Sequence, residues 1–161
     1  RYANLRGIGS DFIGDATGSD KHYSFGIPAA GESGRLHLFE SAVDLLSYGT
    51  LLKLYGKDWR SDNLLSLAGV YRPKKEISES TLPAALVRYL EDHPHIRKVV
   101  LRLDNDLTGK QAAETIKALL PKKYAVDVSV RLSPQGKDYN DCLCMRLGLP
   151  ITKRKERAKE R

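Results

Sequence analysis

The chain has 161 residues, 41% of them hydrophobic and 29% charged, with a formal net charge of +7. That length suits one domain with a real core and leaves room for an appended segment. No apolar run approaches the roughly 18 residues a membrane span needs, and no signal-peptide pattern opens the chain, so neither a membrane-spanning nor a secreted protein is expected.

The chain opens on Arg1 and its only methionine is Met145, so it is expected to be a piece of a longer protein with partner domains elsewhere. Residues 1–35 are rich in glycine and small polar residues, with short apolar pieces such as Tyr23-Ser24-Phe25-Gly26-Ile27. Turns and short strands are expected there, attached to the core rather than forming one. The run Gly14 to Lys21 looks superficially like a phosphate loop. It lacks the glycine-lysine-serine ending and no helix follows, so it reads as a structural turn.

Leu36-His37-Leu38-Phe39-Glu40 reads as a short strand ending in a carboxylate. Ser41 to Tyr55 follows as a helix, with Ala42, Leu45, Leu46, Leu52 and Tyr55 as its apolar face and Gly56 as its stop. Leu64 to Gly69 reads as a second strand, Tyr71 to Ser80 as a loop, and Thr81 to Asp92 as a helix capped by Thr81. Val99-Val100-Leu101-Arg102-Leu103 has the near-continuous apolar character of a strand buried on both faces. It runs into Asp104 and Asp106, whose i, i+2 spacing puts both on one side of a strand, and Gly109 follows.

A helix is expected over Gln111 to Leu120, stopping at Pro121. Val126 to Leu132 alternates strictly, as a half-exposed edge strand does. Ser133 to Asp141 is a turn into a last helix that ends near Leu147. Cys142 and Cys144 lie two apart in that helix, face different directions, and read as reduced thiols. The tail from Lys153 to Arg161 carries six basic residues against two acidic, and reads either as a solvated extension or as a polyanion-binding segment. The divisions expected are therefore a Gly-rich extension over 1–35, a domain over 36–150 and a basic tail over 151–161.

Strand and helix alternate, so an open parallel α/β sheet of about four strands flanked by helices is the economical fold. If the first and third strands are neighbours, Glu40 meets Asp104 and Asp106 at the carboxyl edge, where open α/β sheets bind ligands. Like charges so close repel unless a cation lies between them, and hard oxygen donors suit magnesium or manganese. Plainer roles exist for each group. An acid at a strand-to-helix junction can serve as a cap or dipole partner. Asp44 reads as a solvated helix residue or salt-bridge partner rather than a ligand. Asp138 and Asp141 have capping-box spacing. Lys137 reads as solvated, or as a phosphate holder beside a metal site. His37, His93 and His95 read as structural.

Three segments taken together carry a family resemblance: Glu40-Ser41-Ala42-Val43-Asp44, Asp104 to Gly109 as D-x-D-x-x-G, and Gly136-Lys137-Asp138-Tyr139-Asn140-Asp141. Over residues 36–148 the chain resembles the toprim family, the catalytic domain shared by bacterial primases, type IA and type II topoisomerases and related nucleases. The first segment is similar to the primase pattern E-G-x-x-D, with Ser41 in place of glycine, and the third to G-K-D-x-x-D/E. Gly14-Asp15 to Phe25 is similar to sequence preceding toprim domains in mobile-element proteins. The resemblance implies a toprim-like sheet with Glu40, Asp104 and Asp106 as catalytic and metal-holding groups. Glu40 would share the ion (Mg2+ or Mn2+) or act as general acid/base, with Lys137 and Asp138 on the cofactor side. It also implies DNA as partner, with RNA primer or nucleoside triphosphates, and a role in DNA replication in the bacterial cytoplasm near the nucleoid. Primase-type nucleotidyl transfer is the leading expectation. Cleavage by a nickase, nuclease or topoisomerase-like protein is the alternative, and a non-catalytic nucleic-acid-binding module the third.

Overall fold

The computed structural model describes residues 2–7, 12–67, 69 and 71–151, so the basic tail over 152–161 lies outside the described residues. Strands β1 (Asn4–Arg6) and β2 (Ile13–Asp15) pair antiparallel as a hairpin of their own. The run that resembles a phosphate loop starts in β2 and turns at Gly18, whose φ of 80° suits glycine. The main body contains β3 (Gly26–Ile27), β4 (Arg35–Phe39), α1 (Ala42–Leu54), β5 (Asn63–Ser66), α2 (Ala84–Asp92), β6 (Lys98–Arg102), α3 (Leu107–Lys123), β7 (Asp127–Val130) and α4 (Tyr139–Leu147). Its five strands run in the order β3-β5-β4-β6-β7. All neighbours are parallel except the edge pair β3 and β5. The expected four-strand parallel sheet is present, extended by a two-residue antiparallel edge too short to show a period in sequence.

Alternation along the strands sends side chains to two cores. Leu36 and Leu38 of β4 and Val99 and Leu101 of β6 join Leu86, Leu90, Ala112, Ala113, Ile116 and Leu120 under α2 and α3. On the other face Phe39 and Leu64 join Leu45, Leu51, Tyr139 and Cys142 beneath α1 and α4. Leu101 and Ile116 are fully buried, each worth about 2 kcal/mol in water-excluded surface. The buried Asn63 accepts from the Ala29 N–H and donates to the carbonyls of Ser33 and Arg35, which fixes the approach to β4. Cys142 and Cys144 are free thiols. Among the described residues no helix is long and apolar enough to cross a membrane.

Several local expectations are corrected. Leu46 and Tyr55 point outward from α1, because that helix turns Asp44 and Ser47 inward alongside Leu45 and Leu51. The helix expected from Thr81 begins at Ala84 after Pro83, and Thr81 does not cap it. α3 starts at Leu107 rather than Gln111 and runs through Pro121. Proline there sits in the last turn, where it removes one ladder bond and the helix is about to end anyway. β6 stops at Arg102, so Asp104 and Asp106 lie beyond the strand, in the connection to α3.

β4 and β6 are parallel neighbours, with Phe39 opposite Arg102. Their connections leave in opposite directions along the sheet, which makes the gap at their carboxyl ends the topological switch point. Gly109 closes that gap: a Cβ on it would stand 2.1 Å from the Asp104 carbonyl oxygen. The glycine of the D-x-D-x-x-G spacing thus marks a close approach of backbones. Gly109→Ala should therefore cost about 3 kcal/mol or more despite the gain of about 1 kcal/mol that alanine brings to a helix. Gly31→Ala, with nothing near its Cβ, should stay within about 0.5 kcal/mol of wild type. Urea unfolding measures both, and equal midpoints for the two variants would refute the close approach.

Candidate functional site

Three helix starts deliver acids to the switch point. Ser41 caps α1, its Oγ accepting from the Asp44 N–H at 3.2 Å while its hydroxyl donates to the Asp44 carboxylate. The spacing that makes this cap folds Asp44 back toward the end of β4, where it is only 6% exposed. Its other oxygen accepts from the Asn140 N–H at 3.3 Å, which ties α1 to α4. Asp106 caps α3 by accepting from the Gly109 N–H at 2.8 Å. Asp138 caps α4 by accepting from the Asp141 N–H at 2.7 Å, and Asp141 accepts in turn from the Lys137 N–H at 3.0 Å. Gly136 has φ 73°, and a Cβ there would lie 2.5 Å from Asp141, so glycine is needed twice over.

Asp104 sits between β6 and these caps, 4% exposed. The Asn105 N–H donates to the Lys137 carbonyl at 2.7 Å, so the two motif loops are joined through backbone. Lys137 then spans both aspartates, its Nζ 3.2 Å from Asp104 and 3.0 Å from Asp106. One oxygen from each of Asp44, Asp104 and Asp138 lies within 4.8 Å of the other two. Glu40, just past β4 and half-buried, adjoins this group closely enough to feel the charges of Asp104 and Asp106.

The electrostatics show a cluster with too much negative charge. Burial, then Asp104 and Asp106, pushes the Glu40 carboxyl up to about 7, with Lys137 opposing. Burial, assisted by Asp138 and Asp104 and opposed by the Ser41 bond, raises Asp44 to about 6. Burial also raises Asp104 against the pull of Lys137. Asp106 moves the other way: burial works against it, but the Gly109 N–H and Lys137 hold it below the usual range. Lys137 is raised, since the two aspartates outweigh its own burial. Buried, hard, negatively charged oxygens at this spacing match what magnesium or manganese requires and do not resemble a thiolate or imidazole site.

The reading of Asp44 as solvated is overturned by its burial and its two hydrogen bonds. The trio within mutual ligating distance is Asp44, Asp104 and Asp138, whereas Asp106 is held by its cap and Lys137. The capping spacing of Ser41 and Asp44 was the available signal. It fixes the acid in the first turn, facing the strand end. His37 is buried, accepts from Arg102 Nε at 2.9 Å and contacts Asp62 at 3.1 Å, a structural setting.

A family model described as Toprim-like matches residues 37–143, the span that carries every group above. Among solved structures, the chain is similar to the primase fragment of the bacteriophage T7 primase-helicase protein. The two share 21% identity at a TM-score of 0.46, over 71% of this chain and 39% of that one. The present chain thus spans about two fifths of that relative's length. No curated protein matches it.

The charge excess has a pH signature. Glu40 holds its proton up to about 7 when folded, against an ordinary value of 4.5. Its contribution to stability is therefore fully present below about pH 4.5 and lost as pH rises through about 7. In EDTA, wild type should lose about 2 kcal/mol relative to Glu40→Gln between about pH 5 and pH 8. His37, pushed down to about 4 by burial and Arg102, acts in the opposite sense in both proteins and cancels in the comparison. A wild-type-to-variant difference independent of pH would contradict the coupling.

Proposed function

The chain belongs to the Toprim-like family, and from that premise we propose that its acidic cluster binds a divalent cation, magnesium or manganese, in a domain that performs phosphoryl transfer on DNA. The observation that carries this reading is the meeting of Asp44, Asp104 and Asp138 within 4.8 Å, with Glu40 and Asp106 beside them and one lysine as their only close ammonium among the described residues. A bound cation would offset charge on a phosphodiester and orient the attacking oxygen. The residues of the chain supply the rest. Asp44, Asp104 and Asp138 offer the ligand oxygens, the first two buried and Asp138 half-buried. Glu40, with a pKa near neutrality, suits a general acid/base that gains or gives up a proton at the attacking or leaving oxygen. Lys137 neutralises the aspartates and, once released from them, can grip a phosphate oxygen.

Within that class we favour nucleotidyl transfer of the primase type, with nucleoside triphosphates and a growing RNA primer as co-substrates and further domains supplying the template grip. The three segments of resemblance support this branch. Primer synthesis from labelled nucleotides distinguishes it from strand cleavage, which would release labelled fragments from an end-labelled DNA instead.

Manganese binding followed by electron paramagnetic resonance tests the ligand set. Binding should be saturable and weak, because magnesium-type ions keep several waters until substrate phosphates arrive. Asp44→Asn and Asp104→Asn should each weaken it about tenfold or more. If Asp44→Asn binds like wild type while Glu40→Gln and Asp106→Asn do not, the ligands are Glu40, Asp104 and Asp106 instead. In a protein carrying its partner domains, Glu40→Gln should abolish turnover, and full retention would remove Glu40 from the chemistry.

A further inference from the structure

The two faces of the sheet are not covered equally. α1 and α4 lie over Phe39 and Leu64, on the β5 and β4 side. On the same face, β6 and β7 are left open and form a cavity of about 390 Å3. Lys98 and Arg102 stand at the two ends of β6, pointing the same way by strand alternation, with Arg35 on β4 and Arg131 just past β7 around them. Lys98 and Arg102 are four residues apart, about 13 Å along the strand. That span is long enough to face more than one phosphate of a polynucleotide.

The charge balance favours an anion. Of the carboxylates nearby, Asp127 lines the cavity and Asp62 is engaged by Arg35 at 3.3 Å and His37 at 3.1 Å. His37 is neutral near pH 7 and adds nothing to the sum. Among the described residues, Lys98, Arg102 and Arg131 make no ion pair. Arg102 is fixed instead by neutral partners: it donates to His37 and to the Tyr139 hydroxyl and lies 4.3 Å over the Tyr48 ring. Two of its donors are spent that way, and its charge is not cancelled. A half-buried guanidinium oriented by neutral groups is prepared to meet a phosphate at little cost in side-chain entropy.

Position gives the cavity its use. Its far end is Arg102 and Arg131, with Arg102 two residues before Asp104, so the basic track leads to the acidic cluster at the carboxyl edge. We infer that this open sheet face is a binding track for the phosphodiester backbone of single-stranded DNA, which Lys98, Arg102, Arg35 and Arg131 hold on its way to the acidic site. The direction of the track rests on the function proposed above, but the binding itself does not need metal. Among the described residues no phenylalanine, tyrosine or tryptophan lines the cavity and the His37 ring is almost wholly buried, so the grip is on the backbone and independent of sequence.

Fluorescence anisotropy of a labelled oligothymidine with the full chain tests this in EDTA, where a failure of the metal reading has no influence. Reversing the two exposed track charges, Lys98→Glu with Arg131→Glu, should weaken binding roughly tenfold or more at low salt. Loss of two phosphate contacts should also flatten the slope of log K against log salt by about 1.4. Lys98→Gln with Arg131→Gln should fall between wild type and the reversal, which guards against a folding defect in the latter. If both double variants retain wild-type affinity and slope, or if a duplex of the same length binds more tightly with the same sensitivity to reversal, the single-strand track is refuted.

Discussion

The interaction on which the rest depends is the repulsion among carboxylates gathered at one sheet edge, and the means by which the fold withstands it. Glu40, Asp44, Asp104, Asp106 and Asp138 share a small volume. Three of them sit in the first turn or cap of a helix, so α1, α3 and α4 all aim their positive ends at the cluster. Backbone N–H groups of Asn140, Gly109 and Asp141 each donate to one of these carboxylates. Lys137 supplies the one full positive charge between Asp104 and Asp106. Burial first, and then the neighbouring carboxylates that those devices leave uncompensated, raise the carboxyls of Glu40 and Asp44. An added cation would offset the negative charge that remains after this internal compensation.

Behind that edge, a polar network keeps the elements in place. Arg102 at the end of β6 bonds His37 of β4 and the hydroxyl of Tyr139, the first residue of α4 and the neighbour of Asp138. Tyr139 donates on to the carbonyls at Arg131 and Leu132 after β7. Phe39, Tyr48 and Tyr139 pack their rings at 5.2 to 5.8 Å around the same point. Moving α4 would therefore break contacts to three strands, so Lys137 and Asp138 enter the site on a rigid mount. The same arginine also faces the open side of the sheet, which joins the basic track and the acidic cluster mechanically.

Much of the fold was legible because its signals are local. Val99, Val100, Leu101 and Leu103 form an apolar run and all four are buried, and Gly56 closes α1 with φ 68°. The crossover rule left few arrangements and the neighbouring of β4 and β6 as a condition, which the strand order meets. The misses have a common cause: they depend on what lies across space. Leu46 belongs to a reasonable apolar stripe, yet α1 faces the acidic site and α4 and so buries Asp44 and Ser47 in preference. The edge strand Gly26–Ile27 gains its identity only from pairing with Leu64 and Leu65. The D-x-D spacing suggested two acids on one strand face, whereas β6 ends at Arg102 and the second acid caps a helix. Nothing in the spacing of Lys137 foretold that its ammonium bridges both aspartates.

The central claim, that this edge is a divalent-cation site made by acids from three helix starts and the end of β6, is tested most directly by manganese anomalous scattering from crystals of the domain soaked in the ion. The account predicts a peak about 2.1 to 2.2 Å from carboxylate oxygens of Asp104 and at least one of Asp44 and Asp138, with the Lys137 ammonium displaced from its place between Asp104 and Asp106. A peak elsewhere on the molecule, or none at the edge with Lys137 still bridging its two aspartates, would contradict it.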